Sequence, residues 1–233
     1  MSEKLRIIAA SPLQPLESDT TLESANKIFW ANLIGHIRKD TYIPFEKILD
    51  IGCHHGGLLE EIVNVLHPKA VIGVEPSSHC RERARFRLQN VAASVQMLSP
   101  ERWNEIPTAS IDLITCHEVL HLIKDVDSLF RQISRVLRPG REAFIVVGCH
   151  TENPLWERWS LQLENEGQTV FSRSPFEILE VALHSGLNGA LRPLRRDGWI
   201  IYDPAQAEFK YDSLTELLNH QYRYKLLFRF NKP

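Results

Sequence analysis

The sequence predicts an α/β protein built on a doubly wound, mostly parallel sheet. From residue 46 to residue 148, short apolar segments typical of buried strands alternate with helical segments at the spacing of βαβ units. Two further strand-like segments come late in the chain, and such a pair fits an antiparallel addition to a parallel sheet. The length of 233 residues suits one α/β domain with additions.

The elements of the alternating region have clear start and stop signals. A helix is predicted from Asp19 to about Lys39, where apolar residues recur at helical spacing. Five strands are predicted over residues 46–51, 70–74, 94–98, 111–116 and 143–147. The helices between them are predicted over residues 58–66, 77–90 and 125–136, the last of these ending at Arg138-Pro139-Gly140.

The regular alternation of predicted strands and helices ends after residue 148. Residues 150–173 form an insertion that carries Trp156, Trp159 and Phe171, and a capping box at Ser174–Glu177 then opens a helix to about His184. The late strands are predicted over residues 189–194 and 224–230, with a helix to about Gln221 between them. We therefore expect an N-terminal helical cap, residues 1–45, and a main domain, residues 46–233, with the insertion at about 150–173.

Composition excludes several classes of protein. The 27 Lys and Arg residues nearly balance the 29 Asp and Glu residues, so we do not expect a nucleic-acid partner. No apolar run approaches the roughly 18–20 residues of a membrane-spanning helix, and the N-terminus lacks a signal-peptide core. The four cysteines have no C-x-x-C spacing. We expect a cytoplasmic protein with free thiols.

The end of the first strand predicts a ligand site, because open α/β sheets bind ligands at the carboxyl ends of their strands. Gly52 permits a sharp turn there, and Gly56 permits close approach of the backbone to a ligand. Glu75 ends the second strand 25 residues after Asp50 (75 − 50), where a carboxylate can accept both hydroxyls of a ribose. A nucleoside ligand follows from this placement.

The residues of this loop indicate which nucleoside binds there. In Gly52-x-His54-x-x-Gly57 a histidine replaces the middle glycine of the dinucleotide motif, and no G-K-[ST] phosphate loop is present. The Asp50 carboxylate would repel a pyrophosphate and suits an amino-bearing ligand. S-adenosylmethionine is therefore favoured over NAD.

Four segments in this order carry a family resemblance. They are ILDIGCHHGG (48–57), VEPS (74–77), IDLITCHEVLHLIKD (111–125) and RVLRPGR (135–141). Together they resemble the class I S-adenosylmethionine-dependent methyltransferases, closest to the small-molecule branch of ubiquinone and menaquinone biosynthesis. The resemblance implies a seven-stranded Rossmann-like sheet whose last strand is antiparallel and lies between the fifth and sixth. It also implies methyl transfer to oxygen or nitrogen of a small-molecule acceptor.

The resemblance assigns roles to individual residues. The loop would hold the methionine part of the cofactor, Glu75 the ribose, and Pro76 or Leu98 the adenine. Backbone after the fourth strand would face the amino group. The implied cofactor-binding residues are Asp50, Gly52, Cys53, His54, Gly56, Glu75, Pro76, Leu98, Ser99, Cys116 and His117. The chain departs from the family pattern at His54 and at Ser99-Pro100, which also reads as the start of a helix.

The acceptor side offers two candidate general bases. His121 follows the fourth strand and His150 follows the fifth, and a neutral imidazole there can take a proton from the acceptor. His121 is the first candidate and His150 the second, and packing or capping at a helix start is the alternative explanation for His121. Each cysteine has a histidine neighbour, but adjacent residues on an extended chain point opposite ways, so we expect no metal. A nucleotide-binding oxidoreductase and a catalytically silent binding protein stay open as alternatives.

Overall fold

Seven strands form one sheet in this computed structural model, which describes residues 5–7, 19–41, 44–194, 200 and 209–233. The strands are β1 (Lys47–Ile51), β2 (Ala70–Val74), β3 (Ser94–Leu98), β4 (Ile111–His117), β5 (Leu137–Val147), β6 (Asn188–Pro193) and β7 (Leu226–Asn231). Their order across the sheet is β3-β2-β1-β4-β5-β7-β6.

The directions of the strands confirm the predicted fold class. Strands β1 to β5 pair in parallel, whereas β7 lies antiparallel between β5 and β6. Strand order reverses at β1, whose two neighbours are β2 and β4, so the switch point of the sheet lies at the end of β1. The main ligand site is expected at this edge.

Helices cover both faces of the sheet, which explains why the central strands β1, β2 and β4 are almost entirely buried. They are α1 (Asp19–Asp40), α2 (Gly57–Leu66), α3 (Ser78–Arg87), α4 (Val126–Val136), α5 (Trp156–Asn165), α6 (Pro175–His184) and α7 (Leu214–Asn219). One buried cluster lies under α4 and α6, and a second lies under α1, α2 and α3. Every strand of the parallel region is therefore packed on both sides.

The predicted boundaries differ from the structure at a few places. Helix α3 ends at Arg87 rather than at residue 90. Strand β5 begins at Leu137, six residues earlier than predicted, because Leu137 pairs with Ile111 across a register shift before the ladder continues. A π-helical turn, His220–Tyr224, follows α7. A short antiparallel pair, Leu5–Ile7 with Phe209–Tyr211, was not predicted.

The capping box predicted for α6 is present. The backbone N–H of Glu177 donates to Ser174 Oγ (3.1 Å), and the Glu177 carboxylate accepts the N–H of Ser174 in return. Such reciprocal capping satisfies two backbone donors that a helix start otherwise leaves unpaired.

Helix α1 belongs to the packed interior of the protein. Leu33 and Ile37 of this helix are fully buried and share a core cluster with Ile48 of β1 and Leu59 of α2. The domain boundary at residue 45 stays a prediction, and much of the predicted cap (residues 1–4 and 8–18) lies outside the described residues. None of the described helices is both long and apolar enough to cross a membrane.

Candidate functional site

A cleft of about 800 Å³ opens at the switch point of the sheet, and we call it the main cleft. Its walls come from the carboxyl ends of β1 and β2, from the segments after β3 and β4, and from residues 167–169 after α5. The lining residues include Ile51, Gly52, His54, Val74, Glu75, Pro76, Pro100, Trp103, Asn104, Val119, Leu122, Ile123, Asp125, Gln168 and Thr169. Gly52, His54, Glu75 and Pro76 are thus the predicted cofactor residues that line it.

Gly52 is required by both conformation and space. Its φ is +72°, a left-handed conformation that disfavours side chains, and an added Cβ would lie 2.3 Å from Cγ2 of Val119. The backbone N–H groups of Gly52 and Cys53 both donate to the carbonyl of Val74. The loop therefore turns tightly against β2 and leaves the cleft open.

The Glu75 carboxylate is held at the rim of β2 by two backbone donors. Ser77 N–H donates to Oε1 (2.9 Å) and His54 N–H donates to Oε2 (3.1 Å). A carboxylate has about four acceptor positions, so further donors such as ribose hydroxyls can still be accepted. The residues at this rim fit the ribose of S-adenosylmethionine.

His54 occupies a position at which the motif has a glycine. Its φ is +47°, a left-handed backbone conformation that costs strain in a non-glycine residue. The backbone N–H of His54 donates to Glu75, and the residue lines the main cleft. A histidine at this position therefore leaves the cleft open and contributes to its wall.

Asp50 lies beneath the loop and is almost fully buried. The pKa of Asp50 is raised to about 7, mainly by burial and to a smaller extent by the Glu75 charge, while the hydrogen bond from Thr115 Oγ1 (2.7 Å) opposes the rise. Burial disfavours the ionised form of this carboxylate, so a cationic ligand next to it would stabilise that form strongly. This is the electrostatic environment that suits the ammonium group of a methionine moiety.

We expect Asp50→Asn to stabilise the ligand-free protein and to weaken cofactor binding. A folded-state pKa of about 7 against 3.8 unfolded means that stability is lost as pH rises from about 4 to 7. The variant should therefore gain nothing at pH 4 and about 2 kcal/mol above pH 7, less than the full pKa difference because a buried amide needs its own partners. Urea unfolding at both pH values measures the gain; equal gains at both would contradict it.

Two predicted loop residues face away from the main cleft. The Cys53 thiol is buried beside the Met97 thioether (Sγ to Sδ 3.8 Å). Gly56 has a φ of +79° and caps α2, and a Cβ there would lie 3.2 Å from Cβ of Ala84 in α3. Both serve the packing of the loop onto the domain, which differs from the ligand contact expected from the sequence.

The expected adenine residue Leu98 is placed differently, whereas the backbone role expected for Cys116 or His117 stays a prediction. Leu98 and Cys116 are buried in the core, since each sits within a strand that is covered on both faces. Ser99 occupies the start of a 3₁₀ turn, Pro100–Glu105, in agreement with the alternative reading of this dipeptide. In their place, Trp103 and Pro100 of this turn line the main cleft beside Pro76.

His117 lies on the other side of β4 from the main cleft. Its ring contacts those of Phe29 and Trp30 in α1, with centroids 6.4 and 6.5 Å apart. Burial is the main cause that lowers the pKa of His117 to about 3, and the nearby Lys225 ammonium adds to it. This imidazole is neutral at physiological pH and is packed under the N-terminal helix.

The two predicted bases are buried and neutral. His121 is 4% exposed, its ring meets Trp156 edge-on, and burial lowers its pKa to about 4. Burial also lowers the pKa of His150. His150 Nε2 lies 2.7 Å from the Tyr224 carbonyl, which can only accept, so Nε2 carries the proton and Nδ1 carries the lone pair. Among the described residues, Nδ1 of each ring has no hydrogen-bond partner.

A buried ion pair lies between these histidines. Lys225 Nζ is 2.8 Å from Glu118 Oε1, and Gly148 N–H donates to Glu118 Oε2 (2.9 Å). Burial alone would raise the pKa of Glu118, but Lys225, His117 and the Gly148 N–H outweigh it and hold that pKa well below its usual range. Lys225 also sits 4.0 Å from the ring centroid of Phe29. The carboxyl ends of β4 and β5 thus hold a charged pair among neutral imidazoles.

Sequence reasoning missed Arg81, and it expected the segment after α5 only as part of a substrate-side insertion, without naming Gln168 or Thr169. Arg81 Nη1 donates to the carbonyls of Glu75 (2.6 Å) and Pro76 (2.7 Å) and so anchors the rim of β2. The alternating arginines of α3 read as a solvated face, so no signal in the chain singled out Arg81. Gln168 and Thr169 line the main cleft together with Pro76, although Gln168 is 92 residues later in the sequence (168 − 76). Only the fold brings these residues together.

Comparison with known proteins gives the same class. A family model described as a methyltransferase domain matches residues 24–188. A ubiquinone biosynthesis O-methyltransferase of Thiobacillus denitrificans is 30% identical over 109 residues, 45% of this chain and 46% of that protein. The chain therefore matches less than half the length of this curated relative.

Two solved structures share the fold at low identity. A geranyl diphosphate C-methyltransferase of Streptomyces coelicolor superposes with a TM-score of 0.68 at 14% identity, covering 99% of this chain and 90% of that one. A Haemonchus contortus phosphoethanolamine N-methyltransferase gives 0.66 at 17% identity, covering 97% and 61%. These likenesses support the sheet topology.

The structure defines a Rossmann-like protein with a ligand-sized cleft at the end of the first strand. The chain belongs to the methyltransferase-domain family, and its sheet has the topology of the class I methyltransferases. Family membership decides against the oxidoreductase that the sequence left open.

Proposed function

We propose that this protein is an S-adenosylmethionine-dependent enzyme, and that it transfers the methyl group of that cofactor to an oxygen or nitrogen atom of a small molecule. The observation that carries the proposal is the pair of neutral, buried imidazoles, His121 and His150, at the same edge of the sheet as the main cleft. Leu122, the neighbour of His121, lines that cleft. Oxygen and nitrogen acceptors lose a proton on methylation, and such imidazoles can take it.

The main cleft holds the cofactor in this proposal. Glu75 accepts the ribose hydroxyls, Asp50 favours the ammonium group from below, and Pro76, Pro100 and Trp103 offer apolar surface to the adenine. When bound, S-adenosylmethionine supplies an electrophilic methyl group on a sulfonium centre. The chain itself then has to orient the acceptor in line and to keep water out.

Two neutral imidazoles, packed in the interior beside the Glu118–Lys225 ion pair, support proton transfer on the acceptor side. Trp156 packs on His121, and its indole N–H is occupied by Ser172 Oγ (2.8 Å). His150 keeps a lone pair on Nδ1 because Nε2 donates to Tyr224. Each imidazole is neutral near pH 7, so each is in the form that accepts a proton. The named relative acts in ubiquinone biosynthesis as an O-methyltransferase, and this supports oxygen as the acceptor atom.

The direct test is to follow the methyl group. The protein is incubated with methyl-labelled S-adenosylmethionine and a fractionated cell extract, and the label is located by mass spectrometry. We expect label on an oxygen or nitrogen of a small molecule, together with one S-adenosylhomocysteine per methyl transferred. Label found on RNA, on protein or on a carbon atom would contradict the proposal.

Once the acceptor is known, His121→Ala and His150→Ala separate the two bases. Loss of a general base lowers kcat by about 100- to 10,000-fold. We expect that loss from at least one of the two variants, with the dissociation constant for S-adenosylhomocysteine unchanged in calorimetry. His184→Ala, an exposed histidine at the end of α6, is the matched control and should retain full turnover. Full turnover in both test variants would eliminate the base role.

A further inference from the structure

Three potential metal ligands converge at the carboxyl ends of β4 and β5. They are Glu118, directly after β4, His121 in the short turn Leu120–Leu122, and Cys149, two residues after β5. One ligand atom of each lies within 4.8 Å of the other two. A tetrahedral zinc site has ligand atoms about 3.3–3.8 Å apart, so small side-chain adjustments would complete the geometry.

The donor set identifies the kind of ion. Carboxylate oxygen, imidazole nitrogen and thiolate sulfur together suit a divalent transition metal such as Zn²⁺, whereas Mg²⁺ and Ca²⁺ prefer oxygen alone. Three protein ligands are the number found in catalytic zinc sites, in which a fourth position stays open for water or substrate. The burial of His121 and the half-burial of its two companions would shield the ion from bulk solvent.

Two independent features indicate that these residues are held for a ligand. Nδ1 of His121 is buried and lacks a hydrogen-bond partner among the described residues, which is costly unless something binds it. Glu118 has a φ of +55°, a strained conformation for a residue with a side chain. A Cβ at Gly148 would lie 2.8 Å from Glu118 Oε1, so glycine at that position leaves room for the carboxylate.

Lys225 is the cation that balances Glu118 in the metal-free protein. Its ammonium group is 2.8 Å from Oε1, while Oε2 accepts the Gly148 N–H. A bound ion would compete with Lys225 for Oε1, and the four-carbon lysine stem allows the ammonium to shift toward the Phe29 ring, which it already faces. Removing the competing charge should therefore tighten metal binding.

A second group, His54, His55 and Cys80, has the same spacing of ligand atoms but a less suitable geometry. The rings of His54 and His55 are stacked, with centroids 3.9 Å apart and planes inclined by 23°. Lone pairs in the planes of two nearly parallel rings do not converge on one ion. His54 also belongs to the wall of the main cleft.

We propose that Glu118, His121 and Cys149 bind one divalent transition-metal ion of the zinc class beside the main cleft. Its open position takes a donor atom of the methyl acceptor, and this second statement rests on the proposed function. With its lone pair on the ion, His121 no longer serves as the base, and His150 Nδ1 is the imidazole atom left to accept a proton.

Cobalt titration of the apo-protein tests the site directly. Co²⁺ replaces Zn²⁺ and gives visible ligand-field bands in a tetrahedral site and a sulfur-to-metal charge-transfer band when a thiolate binds. We expect one equivalent of Co²⁺ to produce both, and Zn²⁺ to displace it. Cys149→Ser should abolish the charge-transfer band and lower Co²⁺ affinity by more than about 100-fold, since loss of even an outer-sphere partner costs about 10–100-fold. Cys80→Ser is the matched control and should keep the band.

Two further variants and a folding control make the result of the cobalt titration decisive. His121→Gln should weaken Co²⁺ binding in the same way, and Lys225→Met should strengthen it. The melting temperature of each variant in chelator shows that it folds. A band that survives in Cys149→Ser, or that disappears in Cys80→Ser alone, would overturn the proposal. Binding of S-adenosylhomocysteine is measured separately on the same samples, so failure of the metal site and failure of the methyltransferase assignment give different results.

Discussion

Replacing Lys225 with methionine is expected to lower the free energy of unfolding by about 3–5 kcal/mol in metal-free buffer, the loss typical when one partner of a buried ion pair is removed. The Lys225 side chain is 7% exposed and that of Glu118 is 20% exposed, so the carboxylate cannot recover full hydration. We expect the lower end of the range, because one-fifth of the Glu118 surface still meets solvent. Urea unfolding in the presence of a chelator measures the change.

Two comparison variants isolate the cause of that loss. Lys69→Met removes an ion pair with Glu46 whose side chains are 79% and 57% exposed, and it should cost less than about 1 kcal/mol. The double variant Lys225→Met/Glu118→Gln removes both buried charges and should recover part of the stability. If the double variant is as unstable as Lys225→Met alone, an uncompensated charge is not the cause.

The pH dependence of the pair follows from the low pKa of Glu118. Its folded-state pKa lies below the unfolded value of about 4.3. The pair therefore contributes its full stabilisation above that pH and loses it as pH falls further. The difference between the parent and Lys225→Met should be no smaller at pH 8 than at pH 6, because burial raises the pKa of Glu118 once Lys225 is removed and the variant then loses stability as pH rises. A difference that fades between those values would assign the effect to another group.

Replacing Glu75 with alanine is expected to weaken binding of S-adenosylhomocysteine by about 100- to 10,000-fold. Two hydrogen bonds from ribose hydroxyls to a charged acceptor are worth about 1.5–3 kcal/mol each. The variant also leaves the N–H groups of His54 and Ser77 without their acceptor, so the loop after β1 loses its tether to β2. Isothermal titration calorimetry on folded protein measures the affinity.

Glu75→Gln and Glu82→Ala complete this experiment. The glutamine amide has one acceptor oxygen, so it cannot serve both backbone donors and both ribose hydroxyls, and we expect an intermediate loss. Glu82 is an exposed acid on α3 and should have no effect on affinity. Unchanged affinity in Glu75→Ala would show that the ribose is held elsewhere in the main cleft.

The residues predicted from the motifs fall into two groups, those that line the main cleft and those that are buried in the core. Gly52, His54, Glu75 and Pro76 line the main cleft, whereas Cys53, Leu98 and Cys116 are buried in the core. A local motif predicts where the backbone passes, because glycine placement and strand ends are short-range properties. It does not predict which face each neighbouring side chain takes when both faces of the sheet are covered.

On the acceptor side, the sequence predicted the candidate histidines but not the residues that surround them. His121 and His150 were recognised as candidates because each follows a strand end. Their partners come from distant parts of the chain: Trp156 from α5, Tyr224 from the π-helical turn, and Lys225 from the residue before β7. No spacing rule connects residue 118 with residue 225, so the buried ion pair could not be predicted.

By itself, the sequence determined the α/β class, the order of motifs and the position of the main cleft at the end of the first strand, because hydrophobic periodicity and loop chemistry are local. The tertiary structure alone decided the ionisation of Asp50 and Glu118 and the meeting of Glu118, His121 and Cys149. Those properties depend on burial and on long-range contacts, which exist only once β4, β5 and β7 lie side by side.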